Sequence, residues 1–321
     1  MTRPSILITR PLPDAIADAA ARTMRVTTRK ETSPMSFRDV RSALNTYDGM
    51  IPTLGDPFNA DAFAGGEFRC RILANFGAGY NHIDIEAARQ AGVAVTNTPG
   101  AVTDATADIA VLLMLMTARR AGEGERLLRR GAWEGWHPTQ LLGTHLTGKT
   151  LGIIGMGRIG RAVACRCHYG FDMSVVYFNR SEIRDPGVGW AQRLNSVAEV
   201  METADVISIN VPGGAATHHL IGVDAIARMK PSAILVNTSR GDVIDEAALV
   251  RALESGRIKG AGLDVYEAEP EVSPGLLALE NVSLLPHLGT AALEVRTEMG
   301  LMAVANLEAH FFGGSVPNPV N

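Results

Sequence analysis

Cysteine is scarce: Cys70, Cys165 and Cys167 are the only three in 321 residues. So few, and an odd number, cannot build a disulfide framework and fit a reducing compartment. Basic charge is not in excess either, because 30 Lys and Arg face 34 Asp and Glu for a formal net charge of −4. Such a balance supplies no broad positive field for nucleic acid. Long apolar runs are missing. The longest, Ile109 to Met116, abuts Asp108 and falls far short of the roughly 20 residues that span a bilayer. Met1 to Arg10 holds a short strand-like piece after one arginine, without the apolar stretch of a signal sequence. Repeats and low-complexity segments are absent. The expectation is a cytoplasmic protein with no nucleic-acid partner, no membrane span and no metal.

What is present is globular: 46% hydrophobic and 20% charged residues exclude disorder. The length suits about two domains, and the 33 glycines imply many tight turns. Ile6–Ile8 reads as a strand, Asp14–Ala21 as a helix, and Gly49–Leu54 and Arg71–Phe76 as strands. A helix at Ile85–Gln90 and a strand at Val93–Thr96 come next. Strands separated by helices imply βαβ units and a parallel sheet. Asn97-Thr98-Pro99-Gly100 breaks the pattern. A long helix from about Thr103 to Arg120 is too apolar for a surface and is expected between domains or against another subunit. A second βαβ series runs from Lys149 to about His287. The final helix, about Ala291 to Phe312, is expected to return to the first domain.

The strand Thr150–Ile154 leads directly into Gly155-Met156-Gly157-Arg158-Ile159-Gly160 and the helical Arg161–His168. In that setting G-x-G-x-x-G marks a dinucleotide site: the glycines allow a tight turn, close approach to a pyrophosphate and close helix–strand packing. The next strand, Met173–Phe178, ends in Asn179-Arg180-Ser181, where an Asp or Glu normally accepts from the ribose 2′-hydroxyl of NAD. A carboxylate there would repel a 2′-phosphate, whereas Arg180 can bind one; the plainer reading is a solvated arginine. NADP(H) is therefore the preferred cofactor expected, with NAD(H) as the alternative. Cys165 and Cys167 point about 200° apart on their helix and read as packing residues.

Three later strands each end in a reactive side chain. Ile234–Thr238 delivers Ser239-Arg240-Gly241-Asp242, Ala261–Tyr266 precedes Glu267-Ala268-Glu269-Pro270, and Val282–Leu285 precedes Pro286-His287-Leu288-Gly289-Thr290. Ligands of open α/β sheets bind at that carboxyl edge, and Arg240 could clamp a carboxylate. Spacing alone does not bring the three together, and singly each has an ordinary structural reading. His168, His218, His219 and His310 lack such a setting and are given no role.

At this point the chain resembles the D-isomer-specific 2-hydroxyacid dehydrogenase family, most closely its glyoxylate/hydroxypyruvate reductase branch. The resemblance covers essentially the whole chain. It is carried by 75–84 (Asn-Phe-Gly-Ala-Gly-Tyr-Asn-His-Ile-Asp), 97–100, 155–160, 237–242, 262–270 and 286–291, in family order. It implies an α/β protein of two Rossmann-like, doubly wound parallel-sheet domains. A nucleotide domain, 100–287, is inserted into a substrate domain made of 1–99 and 288–321, with a homodimer formed through about 103–147. It further implies that Arg240 binds the substrate carboxylate and carbonyl, that His287 is the acid/base, and that Glu269 pairs with it. A carboxylate beside an imidazole favours its protonated form, so His287 would hold the proton a carbonyl oxygen needs as hydride arrives.

By the same resemblance the amides of Ala78 and Gly79 hold the substrate carboxylate and Asp264 orients the nicotinamide carboxamide. Thr106 touches the pyrophosphate, and Pro212, Thr217, Thr238 and Gly289 line the cofactor. Trp136, of the pair Trp133 and Trp136, reaches the partner's substrate pocket; an ordinary interface aromatic is the alternative. Ala78 stands where phosphite-oxidising relatives carry lysine, and the chain leaves no room for the regulatory domain of many phosphoglycerate dehydrogenases. Asn210-Val211-Pro212 departs from the His or Cys that many relatives carry two residues before a proline. The function implied is NADPH-preferring reduction of glyoxylate and hydroxypyruvate to D-2-hydroxy acids. Its rivals are a reductase of a larger 2-oxo acid, such as a phenylpyruvate derivative, and a non-catalytic nucleotide sensor on the same fold.

Overall fold

The computed structural model describes residues 3–183 and 187–321; Met1 and Thr2, with which the N-terminal segment begins, lie outside the described residues. Two compact units result, one of residues up to Val102 with Thr290–Asn321, the other of Thr103–Gly289. These breaks lie a few residues beyond the expected ones, for a local reason. Asn97 N donates to Asn318 O and Thr98 N to Gly77 O, holding the linker in the first unit. Asp264 holds Leu288 and Gly289 in the second.

The first unit carries the strands β1 (Ser5–Ile8), β2 (Arg25–Thr28), β3 (Gly49–Ile51), β4 (Ile72–Ala74) and β5 (Ala94–Thr96) in one parallel sheet ordered β2-β1-β3-β4-β5. Side chains alternate between its faces. Ile6, Ile8, Ile51 and Ile72 pack against Ile16, Ala303 and Leu307, while Leu7, Met50, Leu73 and Val95 pack with Val40, Leu44 and Phe58. The terminal helix, Leu293–Phe312, lies against the helix Asp14–Ala21 in this unit. The strand expected to reach Leu54 stops at Ile51, because Pro52 has no N–H and the fully buried Asp56 draws the residues after it into a turn. Asp56 accepts from Thr53 N (3.0 Å), Thr9 Oγ1 (2.5 Å) and Met35 N (2.9 Å). β2 escaped the sequence reading because it is an edge strand of exposed Arg and Thr with no apolar alternation.

The second unit holds β6 (Thr150–Ile154), β7 (Ser174–Phe178), β8 (Gln192–Arg193), β9 (Val206–Ile209), β10 (Ile234–Asn237), β11 (Gly260–Leu263) and β12 (Val282–Leu284). All pair in parallel in the order β12-β11-β10-β9-β6-β7-β8, which reverses between β6 and β9. Such a switch point is where doubly wound sheets bind ligands. The helix Thr103–Ala118 packs on the helix Arg158–Phe171 and on β10 and β11. It buries Thr106, Ala107, Ala110, Leu113, Met114 and Ala118 at helical spacing. Leu112 on its other face is 42% exposed, so within this unit the helix is half-buried rather than enclosed.

Burial pushes the Cys70 and Cys167 thiols up to about 12, and Cys167 Sγ rests 3.7 Å from Met114 Sδ, in keeping with packing roles. Among the described residues no cluster of His, Cys, Asp and Glu could hold a metal, and no helix is long and apolar enough to cross a membrane.

Gly241 is the tightest point of the second unit: a Cβ there would lie 1.9 Å from the Tyr266 carbonyl carbon, whereas one on Gly157 would meet nothing within 4 Å. Gly241→Ala should therefore cost about 2 kcal/mol or more in urea unfolding, and Gly157→Ala close to none. Equal losses would contradict this packing.

Candidate active site

β6 runs into Gly155, whose φ is +96° and whose Cβ, if present, would lie 2.8 Å from the Asn210 carbonyl carbon. A Cβ on Gly160 would sit 2.2 Å from Gly155 O, so only glycine lets the helix start directly under the strand. Gly157 instead borders open space, and the helix Arg158–Phe171 begins there with no side-chain cap. The first-turn amides of Arg158, Ile159 and Gly160 are thus left for an anion in that space. Thr238 Oγ1 and Asn210 Oδ1 are buried without partners among the described residues. A cradle that a Cβ would fill, beside Asn210 with its unsatisfied Oδ1, fits a dinucleotide.

Beyond β7, Asn179 Oδ1 accepts from Met156 N (3.2 Å) and its Nδ2 donates to Ser181 O (2.9 Å). Asn179 therefore braces the glycine loop, and the exposed Arg180 and Ser181 are the groups this corner offers to a ligand. Thr217 Oγ1 donates to Pro212 O (2.7 Å), closing the loop after β9.

At the end of β10 the fully buried Asn237 accepts from Ser239 N (3.0 Å) and Ser239 Oγ (2.8 Å) and donates from Nδ2 to Arg240 O (2.8 Å). This side chain, a turn former by chemistry, sets the backbone from which Arg240 projects. Arg240 Nη1 donates to Ser239 O, while its buried Nε finds no acceptor among the described residues. Burial pulls the guanidinium below its usual value, against the opposing charges of Glu269 and Asp242.

β11 and β12 supply the rest. His287 has a φ of +54°, rare for a side chain of its size. Its N donates to Asp264 O (3.0 Å), and Leu288 N and Gly289 N donate to Asp264 Oδ1 (2.6 Å) and Oδ2 (2.8 Å). His287 Nδ1 lies 2.8 Å from Glu269 Oε2, and Glu269 Oε1 accepts from Tyr266 N (3.1 Å). Burial raises the Glu269 carboxyl, but the hydrogen bond and charge of His287, the Tyr266 N–H and the Arg240 charge outweigh it and leave it below the usual range. Burial raises the Asp264 carboxyl despite its two amide bonds. Since β10, β11 and β12 are neighbours, Arg240, Glu269 and His287 leave one sheet edge side by side. Thr106 Oγ1 bonds Gly289 O (3.2 Å), which attaches it to the His287 turn.

In the first unit Asn75 Nδ2 donates to Gly77 O and Gly79 O (both 3.0 Å), and Asn97 Nδ2 to Ala78 O (2.8 Å). The carbonyls of that turn are tied down, while the Ala78 and Gly79 amides have no acceptor among the described residues. Trp136 is 79% exposed, and Trp133 donates to Gln140 Oε1 (3.3 Å). His219, which was given no role, is held 2.7 Å from Glu267 Oε1, because the loop after β9 folds back and its backbone donates to Asp242 O. Asn237 and the double grip of Asp264 were also missed, although Asn-Thr-Ser after a strand is a turn signal.

Residues 111–289 match the family model for the D-isomer specific 2-hydroxyacid dehydrogenase, NAD binding domain. A glyoxylate reductase of Korarchaeum cryptofilum is 40% identical over 322 residues, spanning 99% of this chain and 96% of the relative. The crystal structure of an NADPH-dependent glyoxylate/hydroxypyruvate reductase from Sinorhizobium meliloti, in complex with NADP and malonate, superposes with a TM-score of 0.87 at 35% identity, covering 99% of this chain and 97% of that one. A D-mandelate dehydrogenase of Rhodotorula graminis superposes with a TM-score of 0.87 at 29% identity, covering 100% and 98%. Full-length likeness joins the glycine loop to the residues that leave β10, β11 and β12, and the chain belongs to the D-isomer-specific 2-hydroxyacid dehydrogenase family, in its glyoxylate reductase branch.

Proposed function

We propose that the protein reduces small 2-oxo acids, glyoxylate and hydroxypyruvate foremost, to D-2-hydroxy acids, preferring NADPH to NADH. The observation that carries this reading is the His287–Glu269 pair beside Arg240 on one sheet edge. The names of the relatives support the substrate, and the absence of a carboxylate at Asn179-Arg180-Ser181 supports NADPH.

A reduced nicotinamide, when bound, supplies hydride to the carbonyl carbon. Arg240 holds the substrate carboxylate and polarises the carbonyl oxygen. Glu269 engages His287 Nδ1, which turns Nε2 toward the substrate, and the proton on Nε2 passes to the carbonyl oxygen as the hydroxyl forms. The neutral imidazole recovers a proton from solvent, to which its side chain is 33% exposed. Ala78 and Gly79 present amides suited to a carboxylate. Gly155, Gly157, Arg158, Ile159 and Gly160 hold the pyrophosphate, with Thr106, Pro212, Thr217, Thr238, Asp264 and Gly289 completing the cofactor's surroundings. Arg180 and Ser181 take the 2′-phosphate.

Exposed Leu128, Trp133, Trp136 and Leu142 crowd the segment assigned to dimerisation, so a second copy is their proposed cover. Sedimentation equilibrium should give twice the chain mass, and a monomer would refute this part.

Steady-state turnover of glyoxylate, hydroxypyruvate, pyruvate and phenylpyruvate with each cofactor tests the whole. Activity confined to phenylpyruvate would favour the larger-substrate reading that the D-mandelate dehydrogenase likeness keeps open. Arg180→Glu should lower kcat/KM for NADPH about tenfold or more and leave NADH little changed; equal effects would make Arg180 a bystander.

His287→Ala should lower kcat by about 10²–10⁴ with dinucleotide binding retained. Near-normal turnover would refute the acid/base role. Because Glu269 is held below its usual range, it should stay ionised, and the pair intact, down through the ordinary carboxylate range. Its stabilising contribution is present above the unfolded value and is lost only as pH falls through the lower folded one. Glu269→Gln should remove that acid dependence from both stability and kcat/KM.

A further inference from the structure

The amino ends of the first unit's strands gather arginines. Arg3 precedes β1, Arg25 opens β2, Arg69 and Arg71 lead into β4, and Asp48 precedes β3. These four strands are neighbours, so the five side chains border one concavity of about 870 Å³.

Main-chain bonds fix its frame: Arg25 N donates to Pro4 O, Asp48 N to Ser5 O and Arg71 N to Asp48 O, each at 2.8 Å. Asp48 is already occupied, since Arg69 forks onto it (2.8 and 3.2 Å) and Ser5 N donates to Oδ2 (2.7 Å). Arg3 reaches only Ala21 O, at 3.4 Å. The guanidinium groups of Arg25 and Arg71 make no hydrogen bond or ion pair among the described residues, although the Arg25 charge is felt at Asp48. Four guanidinium groups against one carboxylate thus concentrate positive charge in a chain of formal charge −4. Like charges held together without counter-charge repel, and guanidinium forks match phosphate and carboxylate oxygens. Phe311 and Pro4 give one side an apolar wall.

We propose that this concavity binds a small multivalent oxyanion, a phosphate ester or a polycarboxylate. The site lies at the amino edge of the sheet, opposite the carboxyl edge from which Ala78 and Gly79 follow β4, and it does not rest on the dehydrogenase reading.

Isothermal titration of the full chain at low ionic strength, with pyrophosphate and separately with citrate, tests it. Saturable binding of one probe per chain is expected, and the probe that binds better tells phosphate from carboxylate chemistry. The double variant Arg25→Ala/Arg71→Ala should weaken it about tenfold or more. Arg25→Lys/Arg71→Lys, which keeps charge but loses the forks, should weaken it less. Binding should persist in Arg240→Gln and with saturating NADPH present. Unfolding midpoints of the double variants control for folding, and if the alanine pair does not fold the lysine pair decides alone. No saturable binding of either probe, unchanged affinity in a folded double variant, or loss of binding with NADPH or in Arg240→Gln would each overturn the proposal.

Discussion

Asp264 takes three hydrogen bonds from consecutive residues, one on its main-chain oxygen and one on each carboxylate oxygen, and the left-handed turn at His287 exists inside that grip. A non-glycine residue in such a conformation costs of order 1–3 kcal/mol. A hydrogen bond to a charged acceptor returns about 1.5–3 kcal/mol, so the two carboxylate bonds alone offset the strain. The imidazole is thereby aimed by backbone geometry before Glu269 touches it. Thr106, bonded to Gly289 O, extends the same grip to the helix Thr103–Ala118.

The other side of the sheet edge is fixed by contact distance rather than by charge. Arg240 and Asp242 flank a glycine that passes so close to Tyr266 and Glu267 that no side chain fits between them. Asn237 sets the turn before this crossing, and Glu267, paired with His219, exchanges bonds with Glu246 after it. The loops are therefore tied to one another by side chains that grip main-chain atoms, the kind of support that holds a site's geometry fixed.

Much of this was legible in the chain. Local signals carried the parallel sheets, the glycine loop and the strand-ending positions of Arg240, Glu269 and His287, because each lies within a few residues of its own element. The helices at Asp14–Ala21 and Ile85–Gln90 were readable to the residue for the same reason. What escaped depends on partners distant in sequence: Asp264 on amides beyond the next strand, His219 on Glu267, and Asp56 on Thr9. β2 escaped because an edge strand need not alternate, and Asn179 looked open because nothing local reveals its bond to Met156. Composition specifies which chemistry is available; topology decides which groups are already engaged.

The bond between Thr106 and Gly289 has a consequence for how the chain reaches this state. It joins positions close to the two ends of the inserted unit, while β5 is bridged at Thr96 to Pro319, near the last residue. Until the inserted unit forms, the first unit must close a loop of nearly two hundred residues, an entropic cost of about 5 kcal/mol by the logarithmic scaling of loop closure. Once Thr103–Gly289 has folded, the ends of that loop are already side by side and most of the cost is gone. The outer unit is thus cheaper to close when the inserted one is already formed.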